Sequence, residues 1–264
     1  MTGPIELSLL DLAGAASLIA INGVLSLWLR LDLGRKLAVA SVRTVVQLLI
    51  LGYVLVPVFD IAHPALVMGL GGLMVILAGR AAIKRTSRTY SGAWGIGLVA
   101  MTVGAIPTTI LATAVLIGVE PFWAPRYFIP LLGMVLGNAL TGVSLGIDRA
   151  LEGFVRGRSQ VELLLSFGAS RWEAAREVAA DAVRTGMIPI LNTMTVVGLV
   201  TIPGMMTGQI LGGAPPEVAA RYQILIMFLI AGAVGIGTVV AVLLTVRAVF
   251  DELDRLRVDR VRAS

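Results

Sequence analysis

Apolar residues fall along this chain in long blocks rather than in alternation. Seven stretches, 9–29, 37–57, 64–82, 95–118, 127–147, 187–208 and 222–249, hold at most one charged residue each. About 20 helical residues at 1.5 Å apiece cross the ~30 Å of a bilayer's hydrocarbon. Backbone groups in lipid must bond within their own segment, so each block predicts a helix. The pattern predicts an all-α integral membrane protein with about seven transmembrane helices, forming a single domain over 1–264. No long linker, low-complexity tract or internal repeat interrupts it.

The polar intervals set an orientation. Of the 21 Lys and Arg, all but three fall in the segments 30–36, 80–94, 148–186 and 247–264. Arg126 and Arg221 lie in the other intervals, and Arg43 lies inside a block. Basic residues gather on the cytoplasmic side, so the N-terminus is expected outside and the C-terminus in the cytoplasm. No basic stretch precedes the first block, whose first Arg is Arg30, so that block is expected to stay as an anchor.

The interval 148–186 is the longest, and it is patterned. Ser159–Phe167 reads as a short helix with a Leu-rich face, and Gly168 ends it as a residue able to take positive φ. Ser170 and Glu173 then form the Ser-x-x-Glu of a capping box. They open a helix over Arg171–Arg184 with Trp172, Ala175, Ala179 and Ala182 on one face. Two readings fit: an amphipathic surface hairpin, or a docking knob for a cytoplasmic partner.

Composition narrows the classes. Hydrophobic residues make up 57% and charged residues 14%, too apolar for a soluble domain of this size. The net charge of +5 comes from arginines that flank apolar runs without interleaved aromatics, so no nucleic-acid partner is expected. The absence of cysteine excludes disulfides, zinc thiolate sites and iron–sulfur clusters. No nucleophile–base or carboxylate pair suggests an enzyme active site. The lysines, Lys36 and Lys84, follow no glycine-rich phosphate loop, so an ATP-driven process would need a partner chain.

Polar groups inside the blocks are candidates for a transport pathway. Arg43 lies about 9 Å deep if its helix starts near Leu37, within snorkelling reach of the interface. Gln47 follows one turn on. A structural role and a pathway role both fit the pair. In the fifth block Gly133, Gly137, Thr141 and Ser144 lie close to one face, a close-packing seam most simply formed with a second copy. Asn138 beside it suits helix pairing or a pathway wall.

The sixth block is broken. Pro189 is expected to open it, and Pro203–Gly204 interrupts it near the outer third, freeing backbone carbonyls. Asn192, Met194, Met205, Met206, Thr207 and Gln209 surround the break. Thioethers suit soft ions and carbonyl or amide oxygens suit harder ones, so Met205, Met206 and Met194 are candidate metal contacts beside plain packing. No Asp, Glu or His joins them, which fits weak, transient contact with an ion. His63 is expected to be a loop residue and Pro107 to kink its helix for packing.

Two resemblances follow. The segment around Glu162-Leu163-Leu164, Gly168 and Val178 resembles the EAA-x3-G-x9-I loop of ABC-transporter permeases, although Ala180-Asp181 stands where that family has Leu-Pro. More specifically, IPGMMTGQILGGAPPEVAARYQILIM (Ile202–Met227), RTVVQLLILGY (Arg43–Tyr53), IPLLGMVLGNAL (Ile129–Leu140) and VELLLSFGAS (Val161–Ser170) resemble the FetB family of metal-export ABC permeases. That resemblance implies a bacterial inner-membrane subunit, multi-pass and homodimeric, with no cofactor of its own. ATP and Mg would be bound by a separate ABC ATPase subunit. It implies that Glu162, Gly168, Ala169, Ser170, Arg171 and Glu173 couple to that ATPase. Arg43, Gln47, Asn138, Asn192, Pro203, Gly204 and Gln209 would flank the pathway. Plant members are linked to aluminium tolerance and nucleotide-sugar movement, so an organic solute stays open as cargo. A non-transporting scaffold or sensor using the same loop also stays open.

Overall fold

A computed structural model of the chain describes residues 8–263. The N-terminal residues 1–7, expected on the outer side, and Ser264 lie outside the described residues. Among the described residues, six helices are long and apolar enough to cross a membrane. They are α1 (Leu9–Trp28), α2 (Gly34–Ile61), α3 (Pro64–Lys84), α4 (Ala93–Ile110), α5 (Pro125–Arg156) and α9 (Pro216–Val249). Between α5 and α9 come α6 (Arg158–Ser166), α7 (Arg171–Val196) and the short α8 (Gly204–Leu211).

Helices α3, α4, α5, α7 and α9 form the packed bundle. Leu132, Val143, Ile147 and Leu151 of α5 meet Val234, Val242 and Val246 of α9 in its centre, all at most 2% exposed. Backbones come close where side chains vanish. A Cβ on Gly142 of α5 would stand 2.6 Å from Val234 Cγ1 and 3.0 Å from the Gly186 carbonyl of α7. One on Gly186 would stand 2.7 Å from the Gly142 carbonyl. The seam expected from Gly133, Gly137, Thr141 and Ser144 is therefore divided. Ser144 turns inward and donates to the Ala82 carbonyl of α3 at 3.0 Å, while Gly137 faces open space. The internal close approach belongs to Gly142, Gly146 and Gly186.

Helices α1 and α2 stand apart from this bundle. They are joined by a turn in which Ser26 Oγ accepts from the Leu33 N–H at 3.0 Å. Within α2 only Val58 is buried, and it packs with Leu55 and Phe59 against the bundle. Toward Gly34 the helix is almost wholly exposed.

Three of the basic segments, 80–94, 148–186 and 247–264, meet at one end. Ser87 donates through its N–H and its hydroxyl to Asp148 Oδ1, both at 2.7 Å. Strand β1 (Arg88–Thr89) pairs antiparallel with β2 (Arg262–Ala263), Thr89 opposite Arg262. Phe154 and Phe250 pack edge to face at 5.9 Å.

Two expected elements change. The span placed at 187–208 is not one helix. The helix that opens at Arg171 runs past Arg184 to Val196, and Pro189 lies inside it instead of starting a new one. Nothing in 184–188 supplies a stop, since Gly186 keeps helical geometry in its close contact with α5. The chain then leaves helix at Val197 and resumes at Gly204 behind Pro203. Second, α4 passes through Pro107 and continues as a π-helical turn, Leu111–Leu116. Thr108 and Thr109 hydroxyls bond back to the Gly104 and Ala105 carbonyls beside that Pro.

Candidate functional site

Two places combine exposed or unpaired chemistry with defined geometry. The first is the α6–α7 turn at the basic end. Helix α6 stops at Ser166 because Gly168 adopts φ +88°, a conformation that favours glycine. Ser170 caps α7: its N–H and hydroxyl donate to Glu173 Oε2 at 2.8 and 2.7 Å, and the Glu173 N–H donates to Ser170 Oγ at 3.4 Å. The Ser170 N–H, then its hydroxyl, hold the Glu173 carboxyl below the usual carboxylate range. Glu162 pairs with Arg158 at 2.7 Å. The capping box and the glycine stop are therefore as the sequence predicts.

The face of α7 differs. Ala175 and Ala182 are buried with Ala174, but Trp172 is 48% exposed. It joins Phe167, at 80%, and Leu163, at 55%, on the outside of the turn. Large apolar side chains exposed at the charged end of the molecule form a surface that suits a protein partner.

Sequence reasoning missed what braces this turn. The C-terminal segment 250–263 folds back across it. Asp254 Oδ2 accepts from the Arg171 N–H at 3.3 Å, and its carboxylate pairs with the Arg171 guanidinium. A groove of about 680 Å³ lies between α6 and this segment, with Arg158, Glu162, Ala169, Leu253 and Arg257 on its walls. The tail reads in sequence as a charged, polar end, with four acidic residues against four arginines, and the buried Leu256 and Phe250 mark where it packs.

The second place is the break after α7. A cavity of about 600 Å³ opens between the end of α7, α8 and the early turns of α9. Met194, Met206, Pro203 and Gly198 line it, together with Met227 and Gln223 of α9. Gln223 is only 8% exposed, and its Oε1 has no hydrogen-bond partner. Of the expected metal contacts, Met194 and Met206 reach this cavity, while Met205 packs against the bundle core. Gln209 does not line it, although its Oε1 is likewise buried and unpaired. The apolar run starts the last span at 222 and so puts Gln223 at its edge. Helix α9 starts at Pro216, which puts Gln223 two turns inside it.

The remaining candidates stay separate. Arg43 and Gln47 are exposed on α2, Asn192 is exposed on α7, and Gly204 is exposed at the start of α8. Asn138, also exposed, donates back to the Met134 carbonyl at 2.9 Å. His63 caps α3, its Nδ1 accepting from the Ala65 N–H at 3.2 Å. Among the described residues no group of three His, Cys, Asp or Glu could hold a metal ion.

Known proteins align with the chain over most of its length. A Synechocystis protein, "UPF0014 membrane protein slr1647", is 33% identical over 96% of this chain and 98% of its own. The Escherichia coli "Probable iron export permease protein FetB" is 31% identical over 96% of each. The Arabidopsis thaliana "Protein ALUMINUM SENSITIVE 3" is 30% identical over 86% of this chain and 82% of its own. No solved structure matches significantly. The profile described as "Uncharacterised protein family (UPF0014)" covers residues 9–250, and with six long apolar helices this multi-pass membrane protein belongs to that family.

Proposed function

We propose that the chain is the membrane-spanning permease subunit of an ATP-driven ABC transporter that exports a metal cation such as iron. A separate ATPase subunit binds ATP and Mg and hydrolyses the nucleotide. The observation that carries this reading is the α6–α7 turn. Phe167, Leu163 and Trp172 project from a turn held by Gly168, the Ser170–Glu173 capping box and the Arg171–Asp254 pair. Such a rigid apolar knob is what a motor protein needs to push on. Likeness to the Escherichia coli iron export permease supports the cargo class.

In this reading the basic end faces the cytosol of a bacterium and the protein sits in the inner membrane. The C-terminal half of α7, the break and α8 together make a seventh crossing, so the N-terminus lies outside and the C-terminus inside. Two copies form the pathway, with α1 and α2 covered by the partner copy. Helices α7 and α8 carry the broken crossing, and discontinuous backbone at membrane depth is tolerated where it lines a cavity.

Vesicles containing the chain and its ATPase test this. The expected result is ATP-dependent flux of Fe²⁺, Cu⁺ or Mn²⁺, together with loss of ATPase association in Phe167→Asp. Absence of ATP-dependent flux for every metal would overturn the cargo, and undiminished association in Phe167→Asp would overturn the docking role.

A further inference from the structure

The structure assigns a cargo site to the cavity behind the α7 break, and its donor set fits a soft monovalent cation, Cu(I) in a cell. This inference rests on the permease reading and specifies which ion that pathway holds. Three thioethers, Met194, Met206 and Met227, come from three different helices to one cavity of about 600 Å³. Met227 belongs to the core and Met194 packs against it, yet both, with Met206, also border open space. The buried Oε1 of Gln223 adds an acceptor with nothing to accept from. A buried unpaired amide oxygen costs free energy, and a hydrogen-bond donor or a cation relieves it.

Charge decides between ions. The cavity wall holds no Asp, Glu, His, Lys or Arg. Dehydrating an ion costs energy that rises with the square of its charge, and a neutral wall returns little of it to a divalent ion. Thioethers select Cu(I), whereas Fe²⁺ and Mn²⁺ favour imidazole and carboxylate donors that are absent here. The cavity is wider than one bare ion, but each Met has three rotatable side-chain bonds and can swing its sulfur inward. Gln223 then supplies one oxygen to a shell of three sulfurs.

Ag(I), a redox-stable stand-in for Cu(I), is the probe. Equilibrium dialysis of the purified full-length chain in detergent should show a site that the triple variant Met194→Leu, Met206→Leu, Met227→Leu loses or weakens on the order of tenfold or more. Met205→Leu, outside the cavity, should leave it unchanged, and Gln223→Leu should weaken it a few-fold. The single Met→Leu variants give the same reading, at a few-fold each, if the triple does not fold. Unchanged Ag(I) binding in all of these variants would overturn the site. Anaerobic Fe²⁺ binding lost in the same variants, with no preference for Ag(I), would overturn the soft-ion class. If Fe²⁺ flux driven by ATP persists in the triple variant, the permease reading stands and this site falls. If Ag(I) binding follows the prediction but no ATP-driven flux exists, the site stands and the permease reading falls.

Discussion

A Cβ at Gly168 would meet nothing within 4 Å, so the demand there is one of backbone conformation alone. At φ +88° an ordinary residue is strained by about 1–2 kcal/mol, a β-branched one by more. Gly168→Asn is expected to keep the turn, since Asn visits this region, while Gly168→Val is expected to free the α6–α7 hairpin and, in the proposed permease, to uncouple flux from ATP hydrolysis without blocking membrane insertion. Flux and ATPase rates measured side by side would check this. Gly142 presents the opposite case, a demand of space. Its Cβ would press on Val234 at 2.6 Å and on the Gly186 backbone at 3.0 Å. Overpacking of this kind costs about 1–3 kcal/mol, so Gly142→Ala should lower the unfolding temperature in detergent, and Gly137→Ala, in open space, should not. Glu173 carries a pH dependence. Its carboxyl titrates below the usual range when folded, so its contribution is complete above the unfolded value and is lost as pH falls through the folded one. The protection factor of the Glu173 amide, its exchange rate set against the intrinsic rate at each pH, should fall on acidification, and Glu173→Gln, which keeps the capping geometry, should remove that trend.

At the scale of elements, the tail 250–263 ties the α6–α7 hairpin to the loop after α3. Arg171 holds Asp254 at one end, and Thr89 lies opposite Arg262 at the other. The chain has no cysteine, so Thr89→Cys with Arg262→Cys forms a clean reporter. Its disulfide should close readily in the wild-type background and slowly with Asp254→Ala, while Asp254→Asn, able to keep φ +56° and accept from the Arg171 N–H, should lie between. Equal rates in all three would mean that the tail docks without Asp254. The hairpin was legible because Gly168, Ser170 and Glu173 act through local backbone geometry. The tail was not, because its partners lie far off in sequence, Asp254 being 83 residues from Arg171. The cavity was half legible. Pro203 announced the break, but Gln223 and Met227 belong to the site only through the way α9 packs against α8. The seventh span failed as a continuous helix because an apolar run reports depth in the membrane and says nothing of where the hydrogen-bond ladder stops.

At the scale of the molecule, the unbalanced feature is the α1–α2 hairpin. Helix α2 spans 28 residues, about 42 Å, against a hydrocarbon core of about 30 Å. The surplus lets Arg43, nine residues beyond Gly34, reach the interface by snorkelling. Gln47 lies one turn deeper, exposed on the half of α2 that has left the bundle. On α5, Gly137 and Asn138 are exposed too, and Gly137 offers room for a closely packed helix. Lipid would solvate the apolar part of these faces but gives an amide no hydrogen-bond partner, so polar groups at that depth favour burial against protein. In the proposed homodimer a second copy would supply that cover. Gln47→Cys in the cysteine-free chain is therefore expected to cross-link between copies in native membranes, giving a species of twice the mass. Val143→Cys, buried at the centre of the bundle, should give none. Gly137→Leu would fill the open face of α5 and should reduce the Gln47→Cys cross-link while leaving the unfolding temperature of the single chain unchanged. A monomer by light scattering in mild detergent, together with no cross-link in membranes, would leave α1 and α2 facing lipid and would refute the dimer.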